Sequence, residues 1–201
     1  MELIENIKNI LGKFFLRHEM KSLHRNKAFI NLEQAKAIGI VFDATEPENF
    51  ELVKKYIAYL REMKKRVKAI GYFNQKQIPP LAFSKLEYDF FCSKELNWYN
   101  APSVIYAKNF AEDEFDILID LNLNDCFPLY YISAMSKAKF KVGKTNKQNS
   151  YVMDLMVELK PSKGMKYFLR NIDAYLFIIN KKSSAAATDI YSKTDPIIDD
   201  K

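Results

Sequence analysis

The chain has 201 residues, 48% of them hydrophobic and 14% aromatic, a composition that predicts a globular protein and excludes a disordered one. Its net charge is +6, and its five glycines make a glycine-rich phosphate loop improbable on composition alone. The two cysteines lie far apart in sequence, and there is neither a signal peptide nor an apolar run of about 18 residues, so we predict a cytoplasmic protein.

The first segment, residues 1–30, is predicted to contain an amphipathic basic helix. Apolar residues recur at intervals of three and four, which is the spacing of one helix face: Leu3, Ile4, Ile7, Ile10, Leu11, Phe14 and Phe15. The opposite face carries Lys8, Lys13 and Arg17. Such a helix either packs on its own domain or lies on an anionic membrane surface, at the inner membrane in a bacterium.

A β-α-β unit is predicted over residues 37–73. The apolar run 37–44 suits a strand that is buried on both faces. Thr45 is the expected N-cap of the helix that follows, with Glu48 completing a capping box and Pro47 in the first turn. The helix is expected to run to about Lys65 and a second strand to span 67–73, parallel to the first.

The rest of the chain continues this alternation less regularly. Residues 87–93 are a possible third strand, and the segment 97–110 is irregular or a short helix. The next elements are a strand, a helix, a strand, a strand or short helix, and a last helix: 115–123, 126–137, 139–144, 151–159 and 161–180. We predict a Rossmann-like α/β domain over 31–180, with a mostly parallel sheet of five to six strands and helices on both faces, and a disordered tail over 181–201.

The segment "FDILIDLNLNDCFPLYYISAMSKAKFKVGK", 115–144, resembles the end of the N-terminal Rossmann-like domain of heptosyltransferase-type glycosyltransferases. Four dipeptides match in order: Phe115-Asp116, Ile119-Asp120, Ala138-Lys139 and Val142-Gly143. The longer stretch 25–180 resembles an uncharacterised bacterial family through "FDILIDL", "FKVG" and the "YDLM"-like "MDLM" at 153–156. The first resemblance implies a sugar-nucleotide enzyme, whereas the second implies no activity.

The chain departs from the glycosyltransferase pattern after its first predicted strand. In that family a glycine-rich turn follows this strand, whereas here the turn is "FDATEPEN" and holds Asp43, Glu46 and Glu48. These carboxylates repel a phosphate from the start of the helix. We also expect 201 residues to hold one domain, without the second domain that binds the sugar-nucleotide donor in that family.

Polar residues at the carboxyl ends of two predicted strands form a candidate site. Asp43 and Thr45 follow the first strand, while Asp120, Asn122 and Asn124 follow the fourth. If those strands are neighbours, the two aspartates could hold Mg²⁺ at the strand edge, where open α/β sheets bind ligands. The alternative, which we favour, is that they form turns, so we predict no metal and no cofactor.

Positive charge is concentrated between Lys137 and Arg170, which hold nine Lys and Arg residues against two acidic ones. The residues expected to form a basic face are Lys139, Lys141 and Lys144, which we place on one face of the fifth strand, with Lys147, Lys163, Lys166 and Arg170. A basic face attracts acidic proteins, nucleic acid or anionic lipid.

These features favour a non-catalytic interaction module that binds an anionic or acidic partner through its basic face. The only histidines, His18 and His24, lie in the N-terminal helical region, which excludes a histidine acid/base centre in the sheet. A protein is the expected partner, with RNA or an anionic membrane surface as alternatives. The second hypothesis is a nucleotide- or sugar-nucleotide-related enzyme at the strand edge, with a small-molecule ligand, and the third is a peripheral membrane protein.

Overall fold

A computed structural model of the chain describes residues 2–80 and 88–179, with side chains from Asn6 onwards. Six parallel strands form one sheet: β1 Ala37–Asp43, β2 Arg66–Phe73, β3 Asp89–Cys92, β4 Ile117–Asp120, β5 Phe140–Lys144 and β6 Leu155–Val157. Five α-helices are present in the described ranges: α1 Glu2–Glu19, α2 Pro47–Glu62, α3 Ile105–Glu112, α4 Phe127–Met135 and α5 Met165–Ile178. The predicted tail, 181–201, lies outside the described residues.

The strand order is β3-β2-β1-β4-β5-β6, which is that of a doubly wound Rossmann-like sheet. The chain moves outwards from β1 through β2 to β3, and then returns to β4 on the other side of β1. The β1–β4 pair, with Val41 opposite Asp120, is therefore the topological switch point. The carboxyl ends of these two strands define the edge where this architecture binds ligands.

Helices cover both faces of the sheet, as the alternation of predicted strands and helices indicates. The side chains of Ile38, Ile40 and Phe42 pack on the face that α2 and α5 cover. On the other face, Val41 and its neighbours in the sheet pack against α3 and α4. The α/β prediction is confirmed, including the weak third strand and the choice of a strand for β6.

The N-terminal helix α1 packs outside α4, so that it forms a further layer beside the domain. Its Leu16 is buried in a separate apolar cluster with Phe127 and Tyr130 of α4. Gly12 makes the closest approach, because a Cβ atom placed there would lie 2.5 Å from the Phe127 ring and 2.5 Å from the carbonyl oxygen of Tyr99.

The start of α2 differs from its predicted capping box. Glu46 occupies the N-cap position and makes no side-chain cap hydrogen bond. The Thr45 hydroxyl oxygen instead accepts a hydrogen bond of 3.0 Å from the backbone N–H of Asn74, at the end of β2. The prediction that Thr45 caps α2 is wrong because its side chain joins two neighbouring strand ends, a tertiary contact that local sequence does not reveal.

Candidate functional site

The predicted strand-edge acids lie at the switch point, but they face different surroundings. The Asp43 carboxylate accepts a hydrogen bond of 2.8 Å from the backbone N–H of Thr45. Asp120 is buried and accepts hydrogen bonds from the backbone N–H of Asn122 (3.0 Å) and from the Ser133 hydroxyl (2.8 Å). Each aspartate therefore closes a turn at the end of its strand.

Burial raises the pKa of Asp120 to about 6, although the hydrogen bonds from Ser133 and Asn122 favour the charged form. Both of its oxygens accept hydrogen bonds from the protein, and Asp120 lines a small polar pocket together with Asn122 and Asn124. Across the described residues, no three His, Cys, Asp or Glu side chains are grouped so as to hold a metal ion. The Asp43–Asp120 pair thus acts in turn formation, and its geometry does not favour a Mg²⁺ site.

A polar cleft of about 760 Å³ opens at the carboxyl edge beside Asp43. Half of the lining side chains carry an amide or a hydroxyl group, and they come from α1, β2 and the loops after β1, β2, β3 and β4: Asn9, Thr45, Tyr72, Asn74, Ser93, Asn97, Asn100 and Asn124. The charged side chains of the lining are Lys8, Asp43, Glu46 and Asp125. Asp120 and Asn122 do not line it. Cys126 does, but burial raises the pKa of its thiol to about 12, so at neutral pH it is not a thiolate nucleophile.

The residues predicted to form one basic face are divided among separate environments. Lys141 is 1% exposed and donates a hydrogen bond of 2.9 Å to the carbonyl oxygen of Ala134 in α4, and burial lowers its pKa well below the usual range. Lys139 is paired with Asp116 at 2.9 Å, and Lys144 donates to the carbonyl oxygen of Leu123 at 2.6 Å. The prediction that Lys139, Lys141 and Lys144 share one exposed face of β5 is therefore corrected.

The remaining basic residues of that set are also separated. Lys147 is exposed in the loop between β5 and β6. Lys163, Lys166 and Arg170 lie just before or in α5, which covers the opposite face of the sheet from α4. The sheet thus lies between the surroundings of Lys141 and the surroundings of these three residues. Lys141 and these three residues therefore do not form one basic face, because α4 and α5 pack on opposite faces of the sheet.

A basic surface that was not predicted from the sequence lies between α1 and the β5–β6 loop, in a groove of about 670 Å³ that we call the basic groove. Its cations are Lys13, Arg17 and Lys21 on one wall and Lys147 on the other, and among the described residues Asp125 is the only acidic side chain that lines it. Tyr130 forms part of the groove and donates a hydrogen bond of 3.2 Å to the carbonyl oxygen of Gln148, which fixes the loop to α4. Tyr151 completes the aromatic part of the lining.

The sequence holds a signal for one wall of this groove that our prediction did not use. Lys13 and Arg17 are four residues apart on one side of α1, and Lys21 follows at the same interval in the short 3-10 turn Met20–Ser22. Lys147 alone connects the groove with the predicted basic face. Its proximity to α1 depends on how α1 packs against α4, which the sequence pattern does not state.

Comparison with known proteins finds a family match over most of the chain. The family model described as "Family of unknown function (DUF6913)" matches residues 8–179. No curated protein matches the chain, and no solved structure does. The comparisons therefore agree with the resemblance to an uncharacterised family and add no support to the resemblance to heptosyltransferases.

Proposed function

Since the chain belongs to a family of unknown function, we propose its role from its geometry: a non-catalytic interaction module that binds an acidic segment of a protein partner in the basic groove. The observation that carries this proposal is that four cations line one groove: Lys13, Arg17, Lys21 and Lys147. Among the described residues that line it, Asp125 is the only acidic one. Four cations around a concave surface attract carboxylates and raise the rate of encounter with them.

The size and chemistry of the groove also suit a peptide. A volume of about 670 Å³ lies within the range of about 300–1,000 Å³ that is usual for ligand pockets. The amide side chains of Asn146 and Gln148 belong to the lining and are of the type that pairs with peptide backbone. Tyr151 is 72% exposed and offers aromatic surface, of the kind that is enriched where proteins bind one another.

The distribution of perturbed carboxyl groups supports binding over catalysis. Asp120 and Asp173 have pKa values raised to about 6, which is the range that proton transfer requires. Both are buried, with exposed fractions of 3% and 0%, and neither lines the basic groove. A ligand in the groove would therefore meet fixed charges and not an acid/base pair.

The test is binding of a fluorescein-labelled oligoglutamate peptide to the full chain, followed by fluorescence anisotropy at low ionic strength. The double variant Arg17→Glu/Lys147→Glu reverses one charge on each wall and should weaken binding about tenfold or more, equivalent to ~1.4 kcal/mol. The control Lys55→Glu/Lys160→Glu changes net charge equally at exposed positions outside the groove and should bind almost as the wild type does.

Equal weakening by both double variants would reject the groove, because it would show attraction to net charge alone. Stronger competition by oligouridylate than by oligoglutamate would replace the protein partner with RNA. A tagged chain used for affinity purification at low and high salt, with the groove variant in parallel, would then identify the partner that depends on these four cations.

The second candidate is a small-molecule function in the polar cleft beside Asp43. The observation that favours it is position, since the cleft lies at the switch point where α/β sheets bind ligands. Its amides and hydroxyls suit a neutral polyhydroxylated molecule such as a sugar, because Asp43, Glu46 and Asp125 in the same lining repel phosphate. Asn124→Leu should abolish a thermal shift produced by such a sugar, while leaving oligoglutamate binding intact.

A further inference from the structure

Among the described side chains of α1, the apolar ones lie mainly on its outer side. Ile7, Ile10 and Phe14 are 49%, 66% and 67% exposed. The inner side of the helix is formed around Gly12 and Leu16, which are buried against α4 and its surroundings. A helix packed only for the stability of its own domain has the reverse arrangement, with its apolar stripe inwards.

These side chains form one surface, which we call the apolar stripe: Ile7, Ile10, Leu11, Phe14 and Trp98. The Phe15 ring connects its two parts, with ring centroids 5.7 Å from Phe14 and 5.6 Å from Trp98. Trp98 belongs to the loop before α3 and is 61% exposed. Large apolar residues grouped in this way on a surface mark a site of contact with another body.

Positive charge borders the apolar stripe. Lys13 and Arg17 lie along one side of α1, and Lys21 follows in the 3-10 turn Met20–Ser22; all three are at least partly exposed. Within the part of α1 whose side chains are described, Glu19 is the only acidic residue. Its carboxylate accepts a hydrogen bond from the Tyr131 hydroxyl and is directed inwards, towards α4. The described outer surface of the helix is thus apolar along its centre and cationic at its border.

We propose that α1 docks the protein on an anionic membrane surface, with the helix axis in the plane of the interface. The apolar stripe would enter the boundary between headgroups and acyl chains, and the bordering cations would contact lipid phosphates. Trp98 would lie at the level of the lipid headgroups, where tryptophan is enriched in membrane proteins. No described helix is long and apolar enough to cross a membrane, so the contact is one of adsorption by α1.

Charge favours a membrane over a second copy of the chain as the occupant. In a two-fold dimer each copy presents the same patch, so Lys13, Arg17 and Lys21 of both copies would be brought towards one another. An anionic surface instead attracts all three. This proposal shares Lys13, Arg17 and Lys21 with the basic groove, but it rests on the apolar stripe, which does not line that groove.

The test is sedimentation of the full chain with phosphatidylcholine vesicles, with and without phosphatidylglycerol. Trp98 is the only tryptophan, so its emission reports the contact directly. We expect the wild type to sediment with the anionic vesicles and to show a blue shift of Trp98 emission. Ile7→Glu should weaken binding about tenfold or more, whereas Ile178→Glu on α5 should not, although Ile7 and Ile178 are equally exposed (49% and 50%).

Three results would overturn the proposal: no sedimentation with anionic vesicles, an equal loss in Ile178→Glu, or a wild-type dimer without vesicles that Ile7→Glu converts to a monomer. The last would assign the apolar stripe to a second copy. Urea unfolding of Ile7→Glu separates lost contact from lost folding, with Ile10→Glu as a second variant. Oligoglutamate binding by Ile7→Glu tests the basic groove separately, so failure of one proposal is not failure of the other.

Discussion

Tyr56 of α2 donates a hydrogen bond of 2.6 Å to Asp173 of α5, and both side chains are completely buried. The contact joins two helices 117 residues apart in sequence on the same face of the sheet. Burial raises the pKa of the Asp173 carboxyl to about 6, while the hydrogen bond from Tyr56 favours its charged form. A buried carboxylate lowers the stability of the fold when it loses the hydrogen-bond donors that replace water around it.

Tyr56→Phe should lower the free energy of unfolding by about 1–3 kcal/mol, because it removes a donor and leaves a buried acceptor without it. Urea unfolding at neutral pH measures the change. Tyr167→Phe on the same helix as Asp173 is the control, since its ring lies beside Lys163 and not between α2 and α5. Similar stability of the two variants would contradict the role assigned to the Tyr56–Asp173 bond.

Asp120 should make stability fall as pH rises from about 4 to about 6. Its carboxyl has a pKa of about 6 in the folded chain and about 3.9 when unfolded, so the folded state holds the extra proton in this window. The stabilisation is fully present below the pKa of the unfolded state and is lost as pH rises through the pKa of the folded state. Its magnitude is about 2–3 kcal/mol. Asp173 contributes in the same direction.

Asp120→Asn should therefore flatten this part of the pH dependence, measured as urea unfolding at intervals between pH 4 and pH 7. Asp116→Asn acts in a different range: burial opposes ionisation of Asp116, but hydrogen bonds from Lys139, Lys36 and Ala37 prevail and lower its pKa. Its contribution is present above the unfolded pKa and is lost as pH falls. A full slope between pH 4 and 6 in Asp120→Asn would refute the assignment.

Gly12→Ala should loosen α1, because the added methyl group would lie 2.5 Å from both the Phe127 ring and the Tyr99 carbonyl oxygen. We expect a loss of about 1–3 kcal/mol, as for other overpacked sites, and faster amide exchange in α1. Alanine is intrinsically the better helix former by about 1 kcal/mol, so a gain in stability would show that α1 is not held at Gly12. Gly164→Ala is the control, since a Cβ there meets no described atom within 4 Å.

Arg25 should contribute far more to stability than Lys27, although both pair with Asp154. Arg25 and Asp154 have side chains 8% and 12% exposed and approach to 2.5 Å, and Arg25 also donates to the carbonyl oxygen of Ala138 at 2.9 Å. Arg25→Met should cost about 3 kcal/mol. Lys27 is 68% exposed at 3.3 Å, so Lys27→Met should cost less than about 1 kcal/mol. Equal losses in chemical unfolding would contradict this difference.

The sheet could be predicted from the sequence because strands buried on both faces appear as runs of apolar residues. The run at 37–44 is apolar at successive positions since helices cover both faces of β1, and β2 and β4 show related patterns. Even β6, three residues long, is recognisable from its apolar segment. Helix boundaries differ from their predicted positions where a side chain makes a tertiary contact. Thr45, for example, accepts a hydrogen bond from the backbone N–H of Asn74 and does not cap α2.

The candidate sites could be predicted only in part because they depend on which elements meet. Asp43 lies at the predicted strand edge and lines the polar cleft, whereas Asp120 accepts a hydrogen bond from Ser133 of α4 and lines a separate, smaller pocket. Lys141 belongs to a charged sequence and is nevertheless buried under α4. The position of α1, which supplies cations to the basic groove, follows from a glycine-to-aromatic contact and not from the periodicity of its own apolar residues.

One wall of the basic groove is a helix that reaches the domain through Gly12 and Leu16, and the other wall is a loop more than a hundred residues later. A ligand that bridges both walls binds only while α1 is docked. Thermodynamic linkage then requires such a ligand to oppose detachment of α1, by about 2.7 kcal/mol at a concentration a hundred times its Kd. Slower proteolysis within α1 would thus report occupancy of the groove before any partner has been named.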